Sequence, residues 1–468
     1  MEISELRKSN LWWIRKENID DDFHLKQLNK QKIKWHYDLI KSFEIGVYSI
    51  RGPRQIGKTT YIKEIIKQLL EFVEPKNIFF YSCDNLYSHS HLLDLLETYL
   101  NFSDEKEKKY IFLDEVAFVP NWQLAIKHLY DQGKLQNCFV LITGSSSIDI
   151  RKSIEQLPGR RGIGKRHFIM FPLTFYEYVK AINSAYIRKI SNNLEKDLKH
   201  IELYKNEIQK DFLDYCLCGG FLVAINDLHS NNRINEFTYE IYINWLIGDL
   251  AKWNKKERYV KQMLRRIIEV YTTEVSFNSL KSQTEIESHN TISEYIDCLG
   301  ELFQLQFVYK LDWNKLIPDF PKNKKIYTID PFIFHCLNKW VFGIDNNFDR
   351  SKENITTTIQ SKIVEGILLN HIIKYLSDKS QTNLFDYKNK IFYWKNKAKT
   401  KEIDFVIKLD KLIGFEVKWQ NQINNIDLKI LNEFDNSIIL SKSTHIKNKA
   451  IPISSFLLIM DKWIDCRL

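Results

Sequence analysis

The sequence predicts an α/β protein: a parallel sheet, a stretch of helices, and a second α/β domain near the C-terminus. Three stretches carry that prediction. "FEIGVYSIRGPRQIGKTTYIKEIIKQLL" passes from an apolar strand through a glycine loop into an amphipathic helix, the strand-loop-helix order of a phosphate cradle. "KKYIFLDEVAFVPNW" is an apolar strand that ends on two carboxylates. "NKIFYWKNKAKTKEIDFVIKLDKLIGFEVKW" offers three short strands split by polar turns, with the alternation of a half-buried sheet. At 468 residues the chain exceeds what one hydrophobic core organises, so two or three domains are expected.

The first loop reads G-x-x-x-x-G-K-T, formed by Gly52, Pro53, Arg54, Gln55, Ile56, Gly57, Lys58 and Thr59, with Thr60 next. Its glycines let backbone N–H groups close around phosphate oxygens. Lys58 neutralises the β- and γ-phosphates, and the Thr59 hydroxyl ligates Mg²⁺ at a helix N-terminus. ATP and Mg²⁺ are therefore the expected cofactors. Asp114 and Glu115 supply the acidic partners: Asp114 for the Mg²⁺ shell, Glu115 to orient or deprotonate the attacking water. That pair argues for hydrolysis over binding alone; the alternative is two surface carboxylates at a strand end.

"CFVLITGSSSIDI" closes on Thr143, Gly144 and Ser145, where polar side chains can sense the γ-phosphate from between the two catalytic strands; a plain turn is the alternative. "QLPGRRGIGKRHFIMFPLTFYEYV" then sets Arg160 and Arg161 in a glycine-flanked loop, followed by a strand and a Pro-started helix. Arginines there can act as a finger on a neighbouring subunit's ATP, which implies a homo-oligomer. The competing reading is a solvated basic loop.

The order of P-loop, LDE, ITGSSS, GRR and FPLTFYEY resembles the AAA-type ATPases of a prokaryotic family that joins a P-loop domain to a C-terminal domain of unknown function (DUF4143-like). "NLWWIRKENID" is similar to the Asn-Pro-Trp-Trp opening of many archaeal members, with Leu11 where Pro is usual. "CGGFLVAI" resembles the family's Gly-Gly-Phe-Pro segment, again without its Pro. These matches span most of the chain; the P-loop and LDE are the individually specific ones.

Residues 181–272 are rich in Lys, Asn and Glu in long helical patterns and read as a helical lid, with Arg265 and Arg266 on either an ATP-facing or a solvated face. From 276, a short helix, a polar turn, a helix beginning near His289 to Thr291, an apolar strand and a return strand at 322–330 give the pattern of a winged helix, a module that enters DNA grooves or serves as a protein contact. Its second helix is acidic, so Lys281, His289 and Asn290 are the better candidates for phosphate contact.

In the C-terminal third, Glu365 lies on an apolar helix, Glu402 and Asp404 share one face of "EIDFVI", and Glu416 and Lys418 share one face of "FEVKW", because strand side chains alternate. Inward charges are expensive unless paired or bound to a cation. If the faces converge, Asp404 and Glu416 ligate a hard cation with help from the Val417 carbonyl, and Lys418 steadies hydroxide or phosphate. An acid, eleven residues, then E-x-K, with a helical Glu upstream, resembles the PD-(D/E)XK nuclease superfamily, with Ile403-Asp404 for its usual Pro-Asp and Gln420 or Gln422 for its later glutamine. The resemblance implies metal-assisted phosphodiester hydrolysis with Glu365, Asp404 and Glu416 on the metal. The alternative is a cross-strand salt-bridge ladder.

The expected layout is thus an AAA-type ATPase domain at 1–180, a helical lid at 181–272, a winged-helix-like module at 273–345 and a PD-(D/E)XK-like domain at 346–468. A net charge of +9 has the sign that favours an anionic partner such as DNA. No run reaches the roughly 20 apolar residues of a membrane span, and the N-terminus lacks a signal-peptide pattern; a cytoplasmic protein without membrane partners is expected. Seven scattered cysteines read as reduced core thiols and no zinc site is assigned. The reading is an ATP-hydrolysing AAA-type ATPase acting on DNA with a metal-dependent nuclease domain. Its alternative is a nucleotide-dependent switch binding a protein or nucleic-acid partner, with the nuclease-like domain as an inert scaffold.

Overall fold

The computed structural model describes residues 2–103, 106–144, 164–191, 193–383, 385–396, 398, 400–434 and 436–468. The chain divides into two compact units, Met1–Phe171 with Glu301–Phe303 and Gln381–Leu384, and Pro172–Gly300 with Gln304–Ser380 and Phe385–Leu468.

The first unit is built on five parallel strands: β1 (Gly46–Arg51), β2 (Ile78–Ser82), β3 (Lys109–Asp114), β4 (Cys138–Gly144) and β5 (His167–Ile169). Their order is β2-β3-β4-β1-β5. β3 and β4 are buried along their whole length, which is why they read as unbroken apolar runs rather than alternating ones. Between strands run α1 (Lys58–Leu69), α2 (His89–Phe102) and α3 (Trp122–Asp131). α1 buries Tyr61, Ile62, Ile65, Ile66 and Leu69, the apolar stripe of an amphipathic helix. Parallel register brings the ends of β1, β3 and β4 to one edge, with Arg51 opposite Gly144 and Leu113 opposite Ile142. Loops at the C-terminal edge of such a sheet are where ligands bind.

The NLWW segment has a structural task here. The Asn10 amide accepts from Phe80 N–H at 2.7 Å and donates to Phe80 O at 3.0 Å, while the Trp12 and Trp13 indoles donate to Ile78 O at 3.0 and 2.8 Å. β2 is the outer strand, so these side chains satisfy backbone groups that an edge otherwise leaves open.

The second unit begins with helices. α4 (Phe175–Ala181) starts after Thr174, whose hydroxyl accepts from Glu177 N–H while the Glu177 carboxylate accepts from Thr174 N–H. This capping box, not Pro172, sets the start of the helix, which corrects the expected Pro-started helix. Then follow α5 (Leu194–Leu203), α6 (Lys205–Cys218), α7 (Leu222–Asn231), α8 (Glu236–Lys252) and α9 (Glu257–Glu269). On α9, Arg265 and Arg266 each lie 3.4 Å from Glu269 of the same helix. Between α6 and α7, Gly219 has φ +56, and a Cβ there would lie 1.7 Å from Asp330 Oδ1. Only glycine permits both the angle and the approach. Asp330 accepts from Gly220 N–H at 2.9 Å and, as the cap of the helix Pro331–Phe342, from Phe332 N–H at 2.8 Å.

Short helices Phe277–Lys281 and His289–Glu301 precede a hairpin of β6 (Leu305–Asp312) and β7 (Ile317–Thr328). The return strand starts five residues before the expected 322. β6 also pairs in parallel with β8 (Ile391–Lys395), so the hairpin expected as a wing belongs to the same sheet as the C-terminal strands. With β9 (Glu402–Lys408), β10 (Leu412–Lys418), β11 (Asn436–Ser441) and β12 (Ala450–Pro452), the order is β12-β11-β10-β9-β8-β6-β7. The long helix Ile359–Lys379 carries Glu365 and is tied to the end of β10 by the Trp419 indole donating to Gln360 Oε1 at 2.8 Å.

Candidate functional site

The glycine loop leads from β1 into α1, and its geometry follows from one residue. Gly57 is the residue before the helix, at φ +103 with open space where a Cβ would stand, so glycine is needed for the angle rather than for room. Lys58, the first helical residue, is buried, and its ammonium donates to the carbonyls of Gly52 and Pro53, each at 3.1 Å. The lysine thereby curls over its own loop.

Thr59 donates to Asp114 Oδ2 at 2.6 Å, joining α1 to the end of β3. Thr143, at the end of β4, donates to the other oxygen, Asp114 Oδ1, and accepts from Glu115 N–H at 3.1 Å. Glu115 adopts the left-handed region at φ 50, which a non-glycine residue holds only against strain. Its Oε1 stands 3.8 Å from Lys58 Nζ. Burial raises the Asp114 carboxyl above its ordinary value, while the Thr143 and Thr59 hydroxyls pull it back. Lys58, Thr59, Asp114 and Glu115 are thus brought together as expected. Thr143, anticipated as a γ-phosphate sensor, links the Asp114 carboxylate to the backbone N–H of Glu115. Ser145, Arg160 and Arg161 lie outside the described residues.

This donor set fits a magnesium-bound nucleoside triphosphate. A hydroxyl and a carboxylate in contact are the hard oxygen ligands that Mg²⁺ takes, and a lysine at a helix N-terminus beside open backbone matches a phosphate chain.

In the second unit Asp404 and Glu416 also meet. Glu416 Oε2 accepts from Asp404 N–H at 3.2 Å, and Asp404 Oδ2 accepts from Val417 N–H at 3.0 Å; Val417 engages the aspartate through its N–H, where its carbonyl was expected to serve a cation. Lys418 pairs with Glu416 at 2.7 Å. Gln420 turns to Asp427 at 2.9 Å. The residue that sequence reasoning missed is Lys325 of β7: its ammonium lies 3.2 Å from Glu365, 2.7 Å from Glu402 and 2.9 Å from Asp404. Tyr327 donates to Glu365 at 2.5 Å, and Lys395 bridges Glu402 and Glu274 at 2.7 and 2.9 Å. Burial works against the Lys325 charge, but Asp404 and Glu365 outweigh it and hold the amine well above its ordinary value. Burial, then the charge of Asp404, pushes Glu365 up to about 7 and Glu416 up to about 8.

Among the described residues no group of three His, Cys, Asp or Glu side chains is arranged to hold a metal ion. The divalent cation implied by the nuclease resemblance does not fit these residues as they stand, because a lysine ammonium is already bonded to three of the carboxylates.

Comparison with known proteins adds three matches along the chain. An AAA-domain model matches residues 45–179 and the domain of unknown function DUF4143 matches 360–456. A further domain of unknown function, DUF8612, matches 209–346. An uncharacterized protein of Methanocaldococcus jannaschii is 28% identical over 223 residues, 43% of this chain and 45% of the relative. A second from the same organism is 25% identical over 329 residues, 68% of this chain and 66% of the relative. The chain thus spans 45% and 66% of the length of the curated relatives it matches. Among solved structures, a Walker-type ATPase of Pyrococcus abyssi is similar at 13% identity and TM-score 0.40, covering 69% of this chain and 95% of that one. The ORC2 protein of Aeropyrum pernix in ADPNP–ADP complexes has 12% identity and TM-score 0.36, covering 64% and 88%. No helix among the described residues is long and apolar enough to cross a membrane.

Proposed function

We propose that the chain, which matches an AAA-domain model over residues 45–179 and DUF4143 over 360–456, binds and hydrolyses ATP at the loop joining β1 to α1. The observation that supports this is the chain of contacts Thr59–Asp114–Thr143–Glu115, with Lys58 3.8 Å from the last carboxylate. Lys58 neutralises the β- and γ-phosphates while backbone N–H groups of Arg54 to Gly57 orient them. Thr59 and Asp114 would hold Mg²⁺, which supplies neutralisation of the charge that develops on the phosphates. Glu115, with its backbone pinned by Thr143, positions the attacking water and takes its proton.

An ATPase assay tests the assignment. Lys58→Ala abolishes turnover on this reading, and Glu115→Ala lowers it while leaving nucleotide binding in place. Loss on Lys58→Ala with unchanged turnover on Glu115→Ala would remove the role given to Glu115.

For the rest of the chain, the Lys325 contacts favour the scaffold reading: hydrolysis repositions the second unit on a nucleic-acid partner, DNA being the class that the net charge of +9 supports. Arg160 and Arg161 are proposed to act across a subunit boundary in a homo-oligomer, and the protein is proposed to work in the cytoplasm. Incubation with single- and double-stranded DNA and Mg²⁺ or Mn²⁺ separates scaffold from nuclease. Cleavage that disappears in Asp404→Ala would establish the nuclease and reject the scaffold.

A further inference from the structure

Lysine carries three N–H donors and no acceptor, and Lys325 meets three carboxylates, Glu365, Glu402 and Asp404, at 3.2, 2.7 and 2.9 Å. Its donor capacity is filled. Each of those carboxylates has a further partner from the chain: Tyr327 on Glu365, Lys395 on Glu402 and Val417 N–H on Asp404. The Lys325 side chain is only 4% exposed, so water does not screen the group, and a set of buried charges of this kind is stable only when its members are matched and hydrogen-bonded. Glu416, the remaining acid, pairs with Lys418 at 2.7 Å.

β7 delivers this ammonium by register. Lys325 and Tyr327 are two apart on one strand, and both reach Glu365. The lysine is therefore a fixed part of the network rather than a surface side chain folded inward.

We propose that Lys325 is the resident cation of the C-terminal acid cluster, a tethered ammonium where the nuclease resemblance would place a divalent ion, and that exchanging it for a neutral side chain opens a divalent-cation site. This deepens the scaffold reading and rests on it: the domain keeps the acids of a cation site but fills their centre from its own chain. Removing the ammonium vacates a point that three carboxylate oxygens, one from the helix and two from β9, surround within 3.2 Å; a small inward shift of such hard oxygen donors meets the needs of Mn²⁺ or Mg²⁺.

The test is Mn²⁺ titration by calorimetry on the full chain without nucleotide, comparing the parent with Asp404→Asn, Lys325→Ala and the double variant. The parent and Asp404→Asn are expected to bind Mn²⁺ alike. Lys325→Ala gains one Mn²⁺ site, and Mn²⁺ restores part of its lowered melting temperature by mass action; the double variant loses both gains. A parent site that Asp404→Asn removes overturns the proposal, as does a folded Lys325→Ala that gains no site. Should Lys325→Ala fail to fold, the comparison of the parent with Asp404→Asn still decides. Metal binding and DNA cleavage are separate readouts: Asp404-dependent Mn²⁺ binding by a parent that leaves DNA intact sinks this proposal and spares the scaffold reading.

Discussion

Two buried lysines mark the two chemically charged regions of the molecule, and they are held in opposite ways. Lys58 donates to two carbonyls of its own loop at 3.1 Å and stands 3.8 Å from Glu115. Lys325 lies within 3.2 Å of three carboxylates. Carbonyls orient the Lys58 ammonium, and Glu115 is a more distant partner than any carboxylate around Lys325; under the proposed function this ammonium faces phosphate. Three close carboxylates cancel the Lys325 charge, and that lysine becomes part of the scaffold.

The sharpest way to break that contrast is to delete each lysine and read stability. Lys325→Ala strands two largely buried carboxylates, Glu365 and Asp404, and takes one partner from the half-buried Glu402; it is expected to lower the unfolding free energy of the second unit by about 3–5 kcal/mol, measured as a shift in the urea midpoint. Lys58→Ala gives up two carbonyl contacts and one distant carboxylate and should cost about 1 kcal/mol, the central value for a point substitution. Equal destabilisation by the two variants would erase the distinction. Activity should reverse the ranking. Lys58→Ala is expected to cost about 10²–10³ in ATP turnover, the scale of losing one positioned charge in a phosphoryl-transfer site.

The sequence disclosed the first region far better than the second, for a physical reason. The loop from Gly52 to Thr59 is contiguous, and its chemistry is set by local sterics and the helix terminus that follows. Asp114 and Glu115 announce themselves as carboxylates at the end of an apolar strand. Lys325 sits in "KNKKIYTID" among other lysines, and its partners come from a helix and a strand 40 and 79 residues away. Nothing local reports such pairing. Phase is no guide either: Lys324, Ile326 and Thr328 are buried as well as Tyr327 and Ile329, so alternation along the strand does not single out Lys325. The NLWW segment was legible only as a resemblance, because capping a neighbouring strand edge leaves no periodicity. The helix start at Thr174 was readable from T-x-x-E, and Pro172 obscured it. Strand alternation put Asp404 and Glu416 on faces that converge only if the two strands are neighbours; the antiparallel pairing of β9 with β10 makes them so.

Acid probes the second unit through a different buried group. His371 Nε2 accepts from Phe175 N–H and its Nδ1 faces Ile367 O, each at 2.7 Å, so the ring is neutral with its proton on Nδ1. Burial lowers it from 6.5 to about 4. The unfolded chain then binds a proton that the folded ring refuses, so this stability is complete above pH 6.5 and is lost as pH falls towards 4. Roughly 2.5 units correspond to about 3 kcal/mol. Melting temperature against pH from 7 to 4 should fall less steeply in His371→Gln than in the parent; parallel curves would show that the ring does not drive the loss.

The smallest effect is expected at the rim of the acid cluster, and it asks whether all three contacts of Lys325 matter equally. The Glu402 side chain is 28% exposed and is shared between Lys325 and Lys395, each at 2.7 Å. The side chains of Glu365 and Asp404 are each 12% exposed. In Glu402→Gln the amide oxygen still accepts from one lysine, and Lys325 keeps its two more buried partners. Lys395 keeps Glu274 at 2.9 Å. Solvent-screened pairs contribute about 0.2–1 kcal/mol, so a loss near 1 kcal/mol in urea unfolding is expected, well below that for Lys325→Ala. Combining Glu402→Gln with Lys395→Met measures the coupling directly. A Glu402→Gln loss as large as that of Lys325→Ala would mean that the ammonium is held from the rim rather than from Glu365 and Asp404, and the contrast with Lys58 would then rest on one surface pair instead of a buried network.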